Sequence, residues 1–321
     1  MLFSGIRIDG DSVDKNIMNS LAHTLEELLK APRKTLESLL PMGSIGEIPQ
    51  QLKKIFSFDY EDKPLEEKFF AAHRHWLKLL HDYYFRVEHA GHLAEVTELA
   101  KREKVILISN HANTLEAALI CYYFYSRHLG LVRTLVYKEA FRLPLVREFF
   151  RSGQCIPISV AAGKEALKKD HILLFPEGMD FIKHYIKRDY VVKFHKGFLN
   201  IAKEYLQENP GKKVHIVPVG HDGIDYTIKF WVINHPFLVE KFIKPFLHYP
   251  YLVIPKAPLV FPSKAIFNWG RPRAVGLEEL KSEKSLIKLT HEFRGDIVRL
   301  RHRARQLRKL SKQTESSPGE V

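Results

Sequence analysis

Between residues 105 and 122 the apolar pattern of the chain changes period within a few positions. Val105, Ile106, Leu107 and Ile108 run without polar alternation, as expected of a parallel strand covered on both faces. After Ser109, Asn110 and His111, the apolar residues return at Leu115, Ala118, Leu119 and Tyr122, the spacing of a helix. The pattern predicts a buried strand, a short polar turn and a helix. Asn110 and His111 then fall at the carboxyl end of the strand, where open α/β sheets place their ligands. Glu116 falls in the first helical turn, within reach of the imidazole, and a histidine oriented by a carboxylate is a ready general base.

The same periodicities organise the rest. Residues 12–40 repeat apolar positions at helical spacing and are broken by Pro32, which predicts two short helices. Residues 41–63 carry turn residues, and Pro64 is well placed to open a helix to about Asp82. Tyr84 to Glu88 alternates like a strand and stops before Gly91. Further helices are expected at 93–102, after Pro144, at 161–169 and at 198–207, and further strands at 131–137, 155–159, 171–175 and 214–219. Such alternation predicts an α/β fold with a mostly parallel central sheet flanked by helices. Residues 1–63 form a helical cap and linker, 64–275 the α/β domain, and 276–321 an amphipathic helix with a polar tail. The aromatic and proline-rich residues 228–262 predict no definite element.

In the last segment Leu286, Leu289, Phe293, Ile297, Leu300, Ala304 and Leu307 recur at intervals of three and four, with six arginines on the other faces. Two readings stand: a basic helix lying on an anionic membrane, or an apolar stripe packed on the domain with a solvated basic face.

Charge and composition narrow the partners. A chain of 321 residues with 45% hydrophobic content buries a sizeable core, and a formal charge of +13 implies an anionic partner. No nucleic-acid module accompanies the charge, so an anionic membrane surface or a phosphorylated small molecule is the expected partner, not a nucleic acid. The two cysteines, Cys121 and Cys155, form no spaced framework, which fits a reducing compartment and predicts no structural metal. With no secretory leader pattern and no apolar run of about 18 residues, a cytoplasmic protein is expected, peripheral on the cytoplasmic membrane face. Neither a nucleophile elbow nor a phosphate-binding glycine loop occurs.

Asn110-His111 with Glu116, then Phe175-Pro176-Glu177-Gly178, Phe194-His195-Lys196-Gly197-Phe198, Ile216-Val217-Pro218-Val219 and a late Trp269-Gly270-Arg271-Pro272 resemble the ordered blocks of the glycerophospholipid (PlsC-like) acyltransferase superfamily. The resemblance covers roughly residues 84–273. It implies transfer of a fatty acyl group from a coenzyme A or acyl carrier protein thioester to a hydroxyl of a glycerol-phosphate or lysophospholipid, with no bound cofactor. His111 takes the role of base and Glu116 of its orienter, with Glu standing where the family has Asp. Asn110, Phe175, Pro176, Glu177, Gly178, Lys193, Lys196 and Gly197 take the substrate-binding places, and amides or cations near Pro176 to Gly178 those that stabilise the oxyanion.

Two departures bear on the acceptor. Met179-Asp180 follows the Phe-Pro-Glu-Gly block where the family continues Thr-Arg, and Ser159 stands where it has an arginine for the acceptor's phosphate. Lys183, Lys187, Arg188, Lys193 and Lys196 are the candidate replacements. A glycolipid or amino-lipid acceptor, or a lipid-binding scaffold without catalysis, are the rival readings. Locally, Asn113 and Glu116 also read as a capping pair at the helix start, with His111 an ordinary loop residue.

Overall fold

In the computed structural model the strand Val105–Ser109 (β2) is buried along its whole length and paired on both sides. The structure describes residues 77–113, 115–138, 153–178, 191–227, 230–233, 252–255 and 262–316, with residues 141, 147, 150 and 151. The expected helices of 12–40, the linker, the Pro64 boundary and the helix after Pro144 lie outside these residues, apart from isolated positions of the last.

The partners of β2 are His171–Leu174 (β5) and Val214–Asp222 (β6), both parallel to it. Register aligns Ile108 with Leu174 and Ser109 with Val219, so three strands deliver their following residues to one edge of the sheet. With β1 (Glu88–Gly91), β3 (Val132–Val136), β4 (Ile156–Pro157), β9 (Ile266–Trp269) and β10 (Arg273–Val275), the order is β1-β9-β6-β2-β5-β3-β4, and β10 also pairs with β6. β9 and β10 run antiparallel to β6, and the other pairings in this sheet are parallel. Phe230–Ile233 (β7) and Leu252–Pro255 (β8) form a separate antiparallel pair in the aromatic segment.

Both faces of the sheet are covered. Val105 and Leu107 join Val217, Val219, Phe267 and Trp269 under α1 (Leu93–Ala100) and α2 (Leu115–Ser126). Leu119 to Phe124 of α2 are buried without a break, as in a helix enclosed on all sides. Ile106 and Ile108 face the other way, under α3 (Val160–Leu167), α4 (Gly197–Glu208) and α5 (Glu283–Ser316). His171 ties the lower end of the sheet together: its Nδ1 accepts from the Val105 amide at 3.2 Å and its Nε2 donates to Leu129 O at 2.8 Å. Burial pushes its pKa down to about 4.

Three expected elements differ. Of the stretch Tyr84 to Glu88 only Glu88 belongs to a strand: Leu79–Tyr84 is a π-helical turn closed by the Phe85 amide on Leu80 O, and Arg86, at φ +40°, redirects the chain before β1 begins at Glu88. The strand expected at 155–159 shrinks to Ile156–Pro157, because Pro157 has no amide to donate and Ser159 caps α3 by accepting from the Ala162 amide at 3.0 Å. β6 runs on past Val219 to Asp222, carrying His221 and Asp222 to the functional edge.

The carboxy-terminal helix resolves in favour of packing. Leu286, Leu289, Phe293, Ile297 and Ala304 are buried against the domain. Its arginines are largely engaged. Arg294 donates to the carbonyls of Val191 and Val192, Arg301 to Asp225 at 3.3 Å, and Arg305 and Arg308 to the fully buried Asp222 at 3.2 and 2.6 Å. The helix crosses β6 over Gly220, where a Cβ would collide with the backbone of Leu300 and Arg301. Gly220→Ala should therefore cost about 1–3 kcal/mol by overpacking. Gly197→Ala, whose Cβ meets nothing within 4 Å, should not lower stability. Urea unfolding monitored by circular dichroism compares the two.

Candidate active site

His111 leaves the end of β2 with its ring stacked on Phe175, which follows β5 (centroids 4.5 Å apart, planes 23° apart). Its Nδ1 meets Glu116 Oε1 at 2.5 Å. The Glu116 carboxylate is fully buried and receives more than the ring: Oε1 accepts from the amides of Ala112 at 2.9 Å and Asn113 at 3.1 Å, and Oε2 from Asn113 at 3.0 Å. A buried anion is tolerated when donors of this kind replace its water. Asn113 Oδ1 in turn accepts from the Leu115 amide at 2.8 Å. The capping pair expected as the alternative to a catalytic arrangement is thus present together with the His–Glu contact, and one carboxylate serves both. The extra methylene of Glu over Asp does not prevent the pairing.

The Phe-Pro-Glu-Gly turn supports this loop. Glu177 is fully buried, with Oε1 accepting from the His111 amide at 2.9 Å and Oε2 from the Val192 amide at 3.0 Å. Its carboxylate cross-links two backbones, one of them that of His111. The Gly178 amide donates to Phe175 O at 2.9 Å to close the turn, which removes it from the amides expected to meet an oxyanion. Gly178 sits at φ +54°, beside His195, whose amide donates to Pro176 O at 2.7 Å.

Asn110 is also engaged. It is fully buried, its Nδ2 donating to His221 O at 3.2 Å and its Oδ1 accepting from the His221 amide at 2.8 Å. It fastens the end of β2 to β6. Ser109 and Asn113 add bonds of the same kind, to Val219 O at 2.9 Å and Ile224 O at 3.2 Å.

The expected cations divide. Lys193 is exposed, Lys196 pairs with Glu283 of α5, and Gly197 opens α4. Lys193, His195 and Lys196 line an open groove of about 320 Å³ with Ile287, His291 and Arg294 of α5. Lys183, Lys187 and Arg188 lie outside the described residues. Among the described residues, no three His, Cys, Asp or Glu side chains gather as a metal-holding group, and no helix is long and apolar enough to cross a membrane.

Sequence reasoning missed His221, Asp222 and the anchoring role of Asn113. The signal available for the first two was a polar pair ending an apolar strand, the same signature that singles out Asn110 and His111.

A histidine whose Nδ1 is held by a buried carboxylate is oriented as a general base requires. Residues 92–222, which include His111, Glu116, Glu177 and His221, match the acyltransferase family model. No curated protein sequence matches the chain. Among solved structures it is similar to the 1-acyl-sn-glycerophosphate acyltransferase PlsC of Thermotoga maritima, at 19% identity and a TM-score of 0.43, over 85% of this chain and 86% of that one.

Glu177→Gln tests the cross-link without changing its size. The amide oxygen can replace one carboxylate oxygen, but its NH2 group would face a second donor, either the His111 or the Val192 amide. The unpaired group should cost about 1–3 kcal/mol, read as a lowered urea midpoint.

Proposed function

We propose that the protein moves a fatty acyl group from an acyl-CoA or acyl carrier protein thioester to a hydroxyl of a glycerol-phosphate or lysophospholipid acceptor. The observation that carries this reading is the His111–Glu116 pair, buried on its carboxylate side, at the edge where β2, β5 and β6 end. His111 Nε2 takes the hydroxyl proton as the oxygen attacks the thioester carbonyl carbon. The new C–O bond forms, the C–S bond breaks, and the departing sulfur takes the proton from Nε2. Glu116 stays anionic throughout, held by the amides of Ala112 and Asn113, and stabilises the transient imidazolium.

The acceptor's phosphate is assigned to the groove beside α4. Lys193 is exposed there, on the strand of chain that Glu177 fastens to the catalytic turn. It stands in for the two arginines the chain lacks. Binding to the cytoplasmic membrane surface is assigned to the net positive charge, since the apolar stripe of α5 is buried within the domain.

Three outcomes follow. His111→Ala should abolish acyl transfer, measured by lipid mass spectrometry with mixed donors and acceptors, while the protein stays folded with a thermal midpoint lowered only by the loss of one donor to Glu116; turnover above roughly a tenth of wild type contradicts the role of base. Lys193→Ala should lower acceptor specificity about ten- to a hundredfold and spare donor binding, the loss of one charge-assisted hydrogen bond. Equal use of phosphorylated and dephosphorylated acceptors by the wild type would instead favour a neutral or sugar acceptor. Sedimentation with vesicles should show tighter binding to anionic than to neutral lipid, weakening with salt.

A further inference from the structure

The peptide unit joining Asn110 to His111 is gripped at both ends. Its N–H, on His111, donates to Glu177 Oε1 at 2.9 Å, and its C=O, on Asn110, is met by His221 Nε2 at 2.8 Å. Because a carbonyl oxygen only accepts, His221 Nε2 carries a proton and donates it. The C=O and N–H of a trans peptide point in opposite directions, so the two side chains hold the plane from opposite sides and fix the backbone from which the His111 side chain departs.

His221 is fully buried and makes three contacts to one residue. Besides the ring bond to Asn110 O, its amide donates to Asn110 Oδ1 and its carbonyl accepts from Asn110 Nδ2. The ring packs on Phe267 (centroids 5.4 Å apart), and among the described residues its Nδ1 has no hydrogen-bond partner. Among the described residues, the ring's hydrogen bond is therefore spent on the peptide that carries the catalytic residue. The next residue, Asp222, is fixed by Arg305 and Arg308 of α5, which tethers this end of β6 to the long helix.

We infer that His221 is a positioning residue for acyl transfer, acting through the Asn110 carbonyl on the placement of His111, an inference that rests on His111 being the base. Removing its donor leaves Asn110 O buried and unmet, and lets the 110–111 peptide tilt while Glu177 still holds the other end. A misplacement of the base by about 1 Å is enough to cost up to about a hundredfold in rate.

The test compares His221→Phe, a ring without a donor, with His221→Gln, which returns an N–H near the place of Nε2. Two readouts are taken on the full chain: steady-state kinetics, and the far-downfield proton resonance of the His111–Glu116 hydrogen bond in histidine-labelled protein. For His221→Phe we expect kcat reduced by about 10- to 100-fold at nearly unchanged KM for donor and acceptor, with that resonance shifted or lost. His221→Gln should recover much of both. If His221→Phe does not fold, His221→Met replaces it, as the close match of Gln in length without the donor. Wild-type kcat and resonance in the donor-free variant, or equal impairment of the donor-free and Gln variants, would overturn the inference. A wild-type protein that transfers no acyl group from any donor overturns the acyltransfer reading instead, and the resonance comparison still judges the grip on the peptide.

Discussion

Everything at the functional edge depends on the burial of one carboxylate. Glu116 lies with no exposure at the start of α2, and a charge there persists only because the amides of Ala112 and Asn113 and the ring of His111 all donate to it. The same bonds that stabilise the anion set the path of residues 111–113, so loop geometry and imidazole orientation are one constraint. A residue without an acceptor at 116 would release both together.

The turn is held from three further sides, each time by a side chain bonded to backbone. Glu177 reaches in from the end of β5, His221 from the end of β6, and Asn113 out to the turn after β6. Side chain to backbone bonds fix peptide planes as well as side chains, which suits the role of base proposed for His111. The parallel register of β5, β2 and β6 is what makes these contacts possible, since it brings the three strand ends level. The long carboxy-terminal helix extends the same frame, packing over Gly220 and neutralising Asp222 with Arg305 and Arg308. Its basic character is thus partly internal, which separates it from a helix that lies free on a membrane.

How much of this was legible in the chain depended on whether the signal was local. The step from an apolar run to helical spacing at 105–122 located β2, the turn and α2, and with them His111 and Glu116 within reach of each other. The covered strands at 171–174 and 214–219 were legible for the same reason. The start of β1 was not, because Tyr84 to Glu88 alternates like a strand, whereas the π-helical turn Leu79–Tyr84, closed by the Phe85 amide on Leu80 O, carries the chain past Arg86 before β1 begins. The backbone anchoring by Glu177 and Asn110 was not legible because their partners, Val192 and His221, are separated from them by 15 and 111 positions. No spacing rule within the chain reports pairings of that range. His221 went unnoticed for the same reason, and the buried Asp222 has partners some 80 residues further on, at Arg305 and Arg308.

The central claim is that His111 and Glu116 act as one unit in acyl transfer, and a double-variant cycle in single-turnover kinetics tests it most directly. Glu116→Gln, His111→Ala and the combination are compared at saturating acyl donor. If Glu116 acts through the His111 ring, Glu116→Gln slows the chemical step on its own and costs nothing further once the imidazole is gone, so the double variant matches His111→Ala. Losses that multiply, or a Glu116→Gln enzyme as fast as wild type, would contradict it.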